Sequence, residues 1–306
     1  MRILQVNSAK TIGGGETHVL ELTAALRKRG HGVVLAGRQD SPLNPDIRTG
    51  ALRLRSALKD GRFDVVHAHM ARDYPIVAAA AWGIRGLTVV FTRHLLHPVR
   101  RNPLYKRVDG WIAPTAQILE TLAPLKPKRA AVIPNWVNTE KFAFLPHPPH
   151  NPVRIGLICQ ISPHKGHDDA IEAMRSLGNR FRLLIAGEGD PAYVRALKRK
   201  SAGMPIDFVG FVLLPAYFAE IDILIVPSWQ EPFGIITLEA MASGIPVIAT
   251  GPPDVVRGTL IPPRDPHALA QAIRSCKLDP TARTHVEKNF EIGQVIPRIE
   301  EFYSRG

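Results

Sequence analysis

Cysteine is scarce: Cys159 and Cys276 are the two in 306 residues. Two thiols make neither a disulfide framework nor a cysteine-based metal cluster, and they suit a reducing cytoplasm. Long apolar runs are missing as well; none approaches the ~18–20 residues that a membrane span needs. The opening MRILQV passes straight into a strand pattern with no apolar leader or cleavage site, so no secretory signal is expected. No self-similarity at a solenoid period is found, and the 27 prolines are scattered among loops rather than gathered into a tract. Zinc-finger spacing, an arginine-rich tail and the aromatic pattern of RNA-binding sheets are absent, which argues against a nucleic-acid partner.

What is there is basic. Lys and Arg number 39 against 27 Asp and Glu, a net charge of +12. In a soluble chain that balance suits an anionic membrane face or an acidic substrate. At this length two domains fit more comfortably than one core.

The chain is organised around residues 226–250, VPSWQEPFGIITLEAMASGIPVIAT. Ile223–Pro227 reads as a buried strand, a loop follows, Phe233–Ala242 reads as a helix, and Pro246–Ala249 as the next strand. Gly244 and Pro246 supply the stop. Seven residues separate Glu231 from Glu239, and Phe233-Gly234-Ile235 lies where loop becomes helix. A helix start leaves backbone N–H groups unpaired and carries partial positive charge, which suits a phosphate. Gly234 lets a ligand approach that backbone. Glu239, farther along the helix, suits a pair of ribose hydroxyls, and Glu231 lies on the loop.

This E-x7-E arrangement, with PFG inside it and EAMASGIPVIA after it, closely resembles the retaining glycosyltransferases of family 4. The resemblance implies an α/β fold of GT-B type: two Rossmann-like parallel-sheet domains facing a cleft. It covers nearly the whole chain. Residues 1–150 are then an N-terminal acceptor-side domain, 151–286 a C-terminal nucleotide-sugar-binding domain, and 287–306 a helix crossing back to the first.

The first half fits that plan. Arg2–Asn7 reads as an inner strand, followed by the glycine loop Gly13-Gly14-Gly15-Glu16, a helix to Arg29 and the strand Val33–Ala36. The Gly-x-Gly-x-x-Gly spacing of dinucleotide folds is absent. In family 4 this loop carries GGxE facing the donor phosphate, so the resemblance makes Gly13 and Gly14 donor contacts, Gly14 the closest. His69 and His94 both fall at strand ends, where open parallel sheets place ligands. The resemblance favours His94, beside the donor sugar; His67 is expected on the opposite face of its strand, in the core. Residues 94–106, HLLHPVRRNPLYK, interleave Leu and Tyr with Arg100, Arg101 and Lys106, as interfacial segments do. A membrane-docking or acceptor role is expected for them, with His69 and Arg93 on the acceptor side. This half is several tens of residues shorter than typical members, so an acceptor-binding subdomain is reduced. Phe144–Pro152 is the expected linker.

In the second half, residues 160–166 (QISPHKG) stand where the family has R-x-x-x-x-K-G. Lys165 matches; Gln160 replaces the arginine, and a neutral amide is no substitute for a guanidinium fork. Asp168-Asp169 opens a helix and reads as a cap. Phe211 and Val212 lie in the segment whose backbone reads the nucleotide base in the family. Glu287–Ser304 reads as one amphipathic helix.

The resemblance implies transfer of a sugar from a nucleoside diphosphate sugar to an acceptor hydroxyl, a lipid-linked or cell-envelope glycan of the lipopolysaccharide or glycolipid kind. Glu231, His94 and Lys165 are the catalytic candidates. Gly13, Gly14, Gln160, Lys165, Phe211, Val212, Phe233, Gly234, Ile235 and Glu239 are the donor-binding ones. No Asp-x-Asp motif stands where a metal–diphosphate bridge would need it, so no metal and no cofactor is expected. The expected location is the cytoplasm, peripheral on the inner face of the membrane. Two alternatives remain at this point: a membrane-associated sugar-nucleotide-binding subunit without activity, and a GT-B nucleotide-sugar epimerase acting without an acceptor.

Overall fold

The computed structural model describes residues 1–11, 13–48, 50–144 and 148–305, which form two compact units. The first comprises Met1–Trp136 together with Ile292–Gly306, the second Val137–Glu291.

The first unit runs β1 (Arg2–Val6), α1 (Gly14–Lys28), β2 (Gly32–Gly37), β3 (Ile47–Arg48), α2 (Ala51–Asp60), β4 (Val65–Ala68), α3 (Tyr74–Ala80), β5 (Thr88–Thr92), β6 (Gly110–Ala113), α4 (Ala116–Glu120) and β7 (Ala130–Val132). Its seven strands are parallel, in the order β3-β2-β1-β4-β5-β6-β7. Ile3, Leu4 and Val6 of β1 are all fully buried, because helices cover both faces of such a sheet.

The second unit runs β8 (Val153–Ile158), α5 (His167–Leu177), β9 (Phe181–Ala186), α6 (Pro191–Lys200), β10 (Ile206–Gly210), α7 (Leu214–Ala219), β11 (Ile223–Val226), α8 (Ile235–Ser243), β12 (Val247–Ala249), β13 (Thr259–Leu260), α9 (Pro266–Ser275) and α10 (Ala282–Asn289). Its six strands repeat the winding, β10-β9-β8-β11-β12-β13. In each sheet the strand order reverses beside its first strand, between β1 and β4 and between β8 and β11. Crevices outside the strand ends at such reversals are where open α/β sheets bind ligands. The last helix, α11 (Ile292–Ser304), returns to the first unit and packs Ile299, Phe302 and Tyr303 with Ile3, Leu22 and Val90.

Two boundaries differ from the sequence reading. The first unit ends at Trp136, not at residue 150, because the next residues pair with the second: the Val137 amide donates to the Phe290 carbonyl at 2.9 Å, and Phe142 is buried against Phe218. Glu287–Ser304 is not one helix. It breaks between α10 and α11, where Glu291 bridges to Val137 in the sheet manner and its carboxylate accepts the Thr139 amide. The expected linker includes residues 145–147, which lie outside the described residues.

Candidate active site

In the second unit two loops meet at the strand reversal. One follows β8 and carries Gln160 to Gly166; the other follows β11 and carries Pro227 to Gly234. They are bolted together by backbone. Gly166 sits at φ +74°, and a Cβ there would lie 2.1 Å from the Pro227 carbonyl oxygen, so only glycine permits the approach. The Trp229 amide donates to the His164 carbonyl at 2.9 Å, and its indole N–H to Asp169 at 2.8 Å.

This bolting brings Lys165 Nζ to 3.0 Å from Glu231 Oε2. The Ser228 hydroxyl donates to the same oxygen at 3.0 Å. Three residues after Glu231, Gly234 takes φ +82° and turns the chain into α8. That helix has no side-chain cap and no acid in its first turn, so its leading N–H groups and partial positive charge stay available to an anion. Gly244 closes α8 in the left-handed conformation, with the Ile245 amide reaching back to Ala240. Lys165, Glu231, Gly234 and Ile235 are thus brought together at one strand reversal, and Glu239 lies half-buried on the same helix.

Other candidates on this unit stand differently. Phe233 is buried in the core, edge-on to Phe290 at 6.0 Å, so its side chain packs. Gln160 is exposed. Phe211 is 78% exposed just past β10, while Val212 packs against the core. Asp168 and Asp169 do not cap α5: Asp168 accepts from the Tyr193 hydroxyl and Lys200, and Asp169 from Trp229, leaving Gly166 at the cap. Side-chain partners from α6 and the β11 loop outcompete the local turn.

In the first unit the strand reversal holds a histidine cluster. His67 and His69 lie with ring centroids 4.0 Å apart, so His67 shares a side with His69 and is not opposed to it; residues i and i+2 of a strand project the same way. His67 is core, bonded to the Tyr303 hydroxyl and to Thr92, each at 2.6 Å. His69 Nε2 meets Gln5 Oε1 at 2.6 Å. His94 lies between His69 and His18, with ring centroids 6.3 and 5.9 Å away, and His18 stacks on Trp136 at 3.4 Å. His69 Nδ1, His94 Nε2 and Trp136 Nε1 are buried with no hydrogen-bond partner. Burial, then the Arg93 guanidinium, lowers His94 to about 4; burial, then His94, lowers His67 to about 3 and His18 well below its ordinary range. The rings are therefore neutral at pH 7, suited to hydroxyls more than to phosphates. Among the described residues no three His, Cys, Asp or Glu side chains are placed to hold one metal ion.

Gly13 precedes α1 in extended conformation, its amide taken by Glu16 Oε2 at 3.0 Å. A Cβ at Gly14 would meet nothing within 4 Å. Arg93 is buried with its guanidinium on the His97 carbonyl. Arg100, Arg101 and Lys106 are exposed, Arg101 donating to the Pro124 carbonyl. Leu104 and Tyr105 pack against the core, which leaves Leu95 as the exposed large apolar side chain of that segment. Sequence reasoning missed Ser228, His18, Gln5 and Trp136. The signal for Ser228 was its place three residues before Glu231, within reach of a tight loop.

The model of a family described as "Glycosyltransferase Family 4" matches residues 12–141, and one described as "Glycosyl transferases group 1" matches residues 152–279. The chain belongs to glycosyltransferase family 4. It is therefore a transferase. Among family members, the D-inositol 3-phosphate glycosyltransferase of Geodermatophilus obscurus is 27% identical over 78% of this chain, which spans 65% of that protein's length. The phosphatidyl-myo-inositol mannosyltransferase of Mycobacterium leprae is 26% identical over 85% of this chain and 83% of its own. Among solved structures, Anabaena HepE in complex with UDP and glucose superposes with a TM-score of 0.84 at 20% identity over the full length of both chains. A glycosyltransferase from Rickettsia africae gives 0.86 at 22% identity, covering 99% of this chain and 98% of its own. At these identities the likeness establishes the GT-B fold of this family 4 member. No helix among the described residues is long and apolar enough to cross a membrane.

Proposed function

We propose that this family 4 glycosyltransferase moves a sugar from a nucleoside diphosphate sugar to an acceptor hydroxyl with retention at the anomeric carbon. The observation that carries the reading is the Lys165–Glu231 pair beside the uncapped start of α8. A cation and open helix amides suit the diphosphate; a carboxylate next to them suits sugar hydroxyls. Lys165, Gly234 and Ile235 hold the leaving diphosphate and stabilise charge as the anomeric C–O bond breaks; on the first unit, Gly14 is the proposed donor contact. Glu239 holds the ribose, and the backbone at Phe211 and Val212 meets the base. Glu231 positions the donor sugar, and His94 offers a neutral imidazole to a hydroxyl. The acceptor oxygen bonds to the anomeric carbon as its proton passes to a phosphate oxygen, so no divalent metal is needed.

The acceptor we propose is a lipid-linked or envelope glycan, reached on the anionic inner face of the cytoplasmic membrane. The net charge of +12 and the exposed Arg100, Arg101 and Lys106 support that partner. Several family relatives are named for inositol lipids.

A thermal-shift screen of UDP, GDP, ADP and their common sugar conjugates tests the donor reading, run with magnesium and with EDTA, since binding to the folded state raises Tm by mass action. A shift from one nucleotide that Glu239→Ala removes supports it; no shift with any overturns it. The exposed Gln160 in place of the family arginine favours a second reading, a binder without turnover. Donor hydrolysis measured beside binding separates the two.

A further inference from the structure

We infer that Ser228 is a positioning residue for Glu231, holding the carboxylate in place when Lys165 turns to the diphosphate. The inference rests on the donor reading above and deepens it.

Glu231 receives two hydrogen bonds, from Lys165 Nζ and Ser228 Oγ, both at 3.0 Å and both on Oε2. Among the described residues Oε1 receives none, so one carboxylate oxygen is tethered to the protein and the other is not. The tethers differ in kind. Lys165 rides a flexible stem, and its ammonium is drawn to any anion that enters beside it. Ser228 is 1% exposed and fixed by its own backbone: the Thr250 hydroxyl donates to the Ser228 carbonyl, and the Thr250 amide to Val226 at 3.1 Å. The end of β12 thus locks the end of β11, and the serine hydroxyl stays where the carboxylate needs it.

Diphosphate arrival competes for Lys165 and weakens its hold on Glu231. A carboxylate with no other donor would then swing about its side-chain torsions while it should be aligning a sugar, and misplacement of that kind lowers rate steeply. Ser228 removes that freedom without carrying charge and without touching the ligand. Because it acts through Glu231, its removal costs nothing once Glu231 is gone.

The test is a double-mutant cycle on the full chain, following hydrolysis or transfer of UDP-glucose, UDP-galactose, GDP-mannose and ADP-glucose, with binding of bare UDP, GDP and ADP measured alongside. Ser228→Ala is expected to lower kcat about ten-fold, the scale of a lost hydrogen bond to a charged group. Bare nucleoside diphosphate affinity stays within two-fold, and Ser228→Thr, which keeps the hydroxyl, regains most of the rate. In a Glu231→Ala background, Ser228→Ala adds less than two-fold. Equal losses in both backgrounds, or an unchanged rate in Ser228→Ala where Glu231→Ala is slow, overturns the positioning role and leaves the donor reading standing. No turnover of any sugar nucleotide, or turnover indifferent to Glu231→Ala, overturns the donor reading and this inference with it. Should Ser228→Ala melt early, the Ser228→Thr rate decides: a folded threonine variant as slow as a Glu231→Ala enzyme also overturns the role.

Discussion

Lys165 and Glu231 hold each other at 3.0 Å across two loops that are 66 residues apart in the chain. Both side chains are largely withdrawn from solvent, with 22% and 11% exposure. The charge that suits a diphosphate is therefore partly spent on a neighbour before any ligand arrives.

Glu231→Gln should free that charge. Bare nucleoside diphosphate is expected to bind about five-fold tighter, on the order of 1 kcal/mol, while sugar transfer slows. Isothermal titration with UDP and GDP, set beside turnover, checks the opposed signs. Weaker binding in the variant would show that Lys165 depends on Glu231 for its place.

Gly14 offers a second pair of opposed signs. It is the first residue of α1, with open space where a Cβ would go. Gly14→Ala should raise stability, by less than the ~1 kcal/mol that separates Gly from Ala in a helix interior. If the backbone there lies against the donor phosphate, the same change lowers sugar-nucleotide affinity. Melting and titration on one variant decide whether this glycine serves the fold or the ligand.

The histidine cluster makes stability depend on pH. His18, His67, His69 and His94 are held below their ordinary values, chiefly by burial. Between about 6.5, where an unfolded histidine titrates, and the folded values of about 3 and about 4 for His67 and His94, the unfolded chain binds more protons. Stability from these groups is complete above about 6.5 and falls as pH drops, by up to about 1.4 kcal/mol per pH unit for each ring. A Tm series from pH 7.5 to 4.5 should slope down, and His18→Gln should make it shallower. A level series would mean that the rings take up protons inside the fold.

Phe233→Ala tests whether that ring serves the core. With the ring buried against Phe290, the loss should be about 3–4 kcal/mol of stability, seen in denaturant melts. A variant of full stability that binds nucleotide poorly would return Phe233 to the ligand.

The parts legible in the sequence were those written in periodicity and local punctuation. The start of α8 was visible because Gly234 and the apolar run after it are adjacent, and the parallel sheets follow from alternating strand and helix patterns; the strand order does not. The Lys165–Glu231 pairing was not visible, since it depends on Gly166 passing over Pro227. Nor was the break at Phe290–Glu291: the amphipathic pattern runs on through it, while the chain turns aside to pair with Val137. Asp168 and Asp169 misled because an acid at a helix start reads as a cap from sequence alone, and tertiary donors claimed both. His18 stood five residues into a helix, far in sequence from the histidines it joins.

The return of α11 to the first unit sets an order in time. Gln5 and His67 find their Tyr303 hydroxyl, and Gly110 its covering Phe302 ring, in residues made after the whole second unit. During synthesis the second unit has all its strands and can close while the first still lacks one wall of its core. The unit whose chain begins first is thus the one whose core is completed by the last helix, α11.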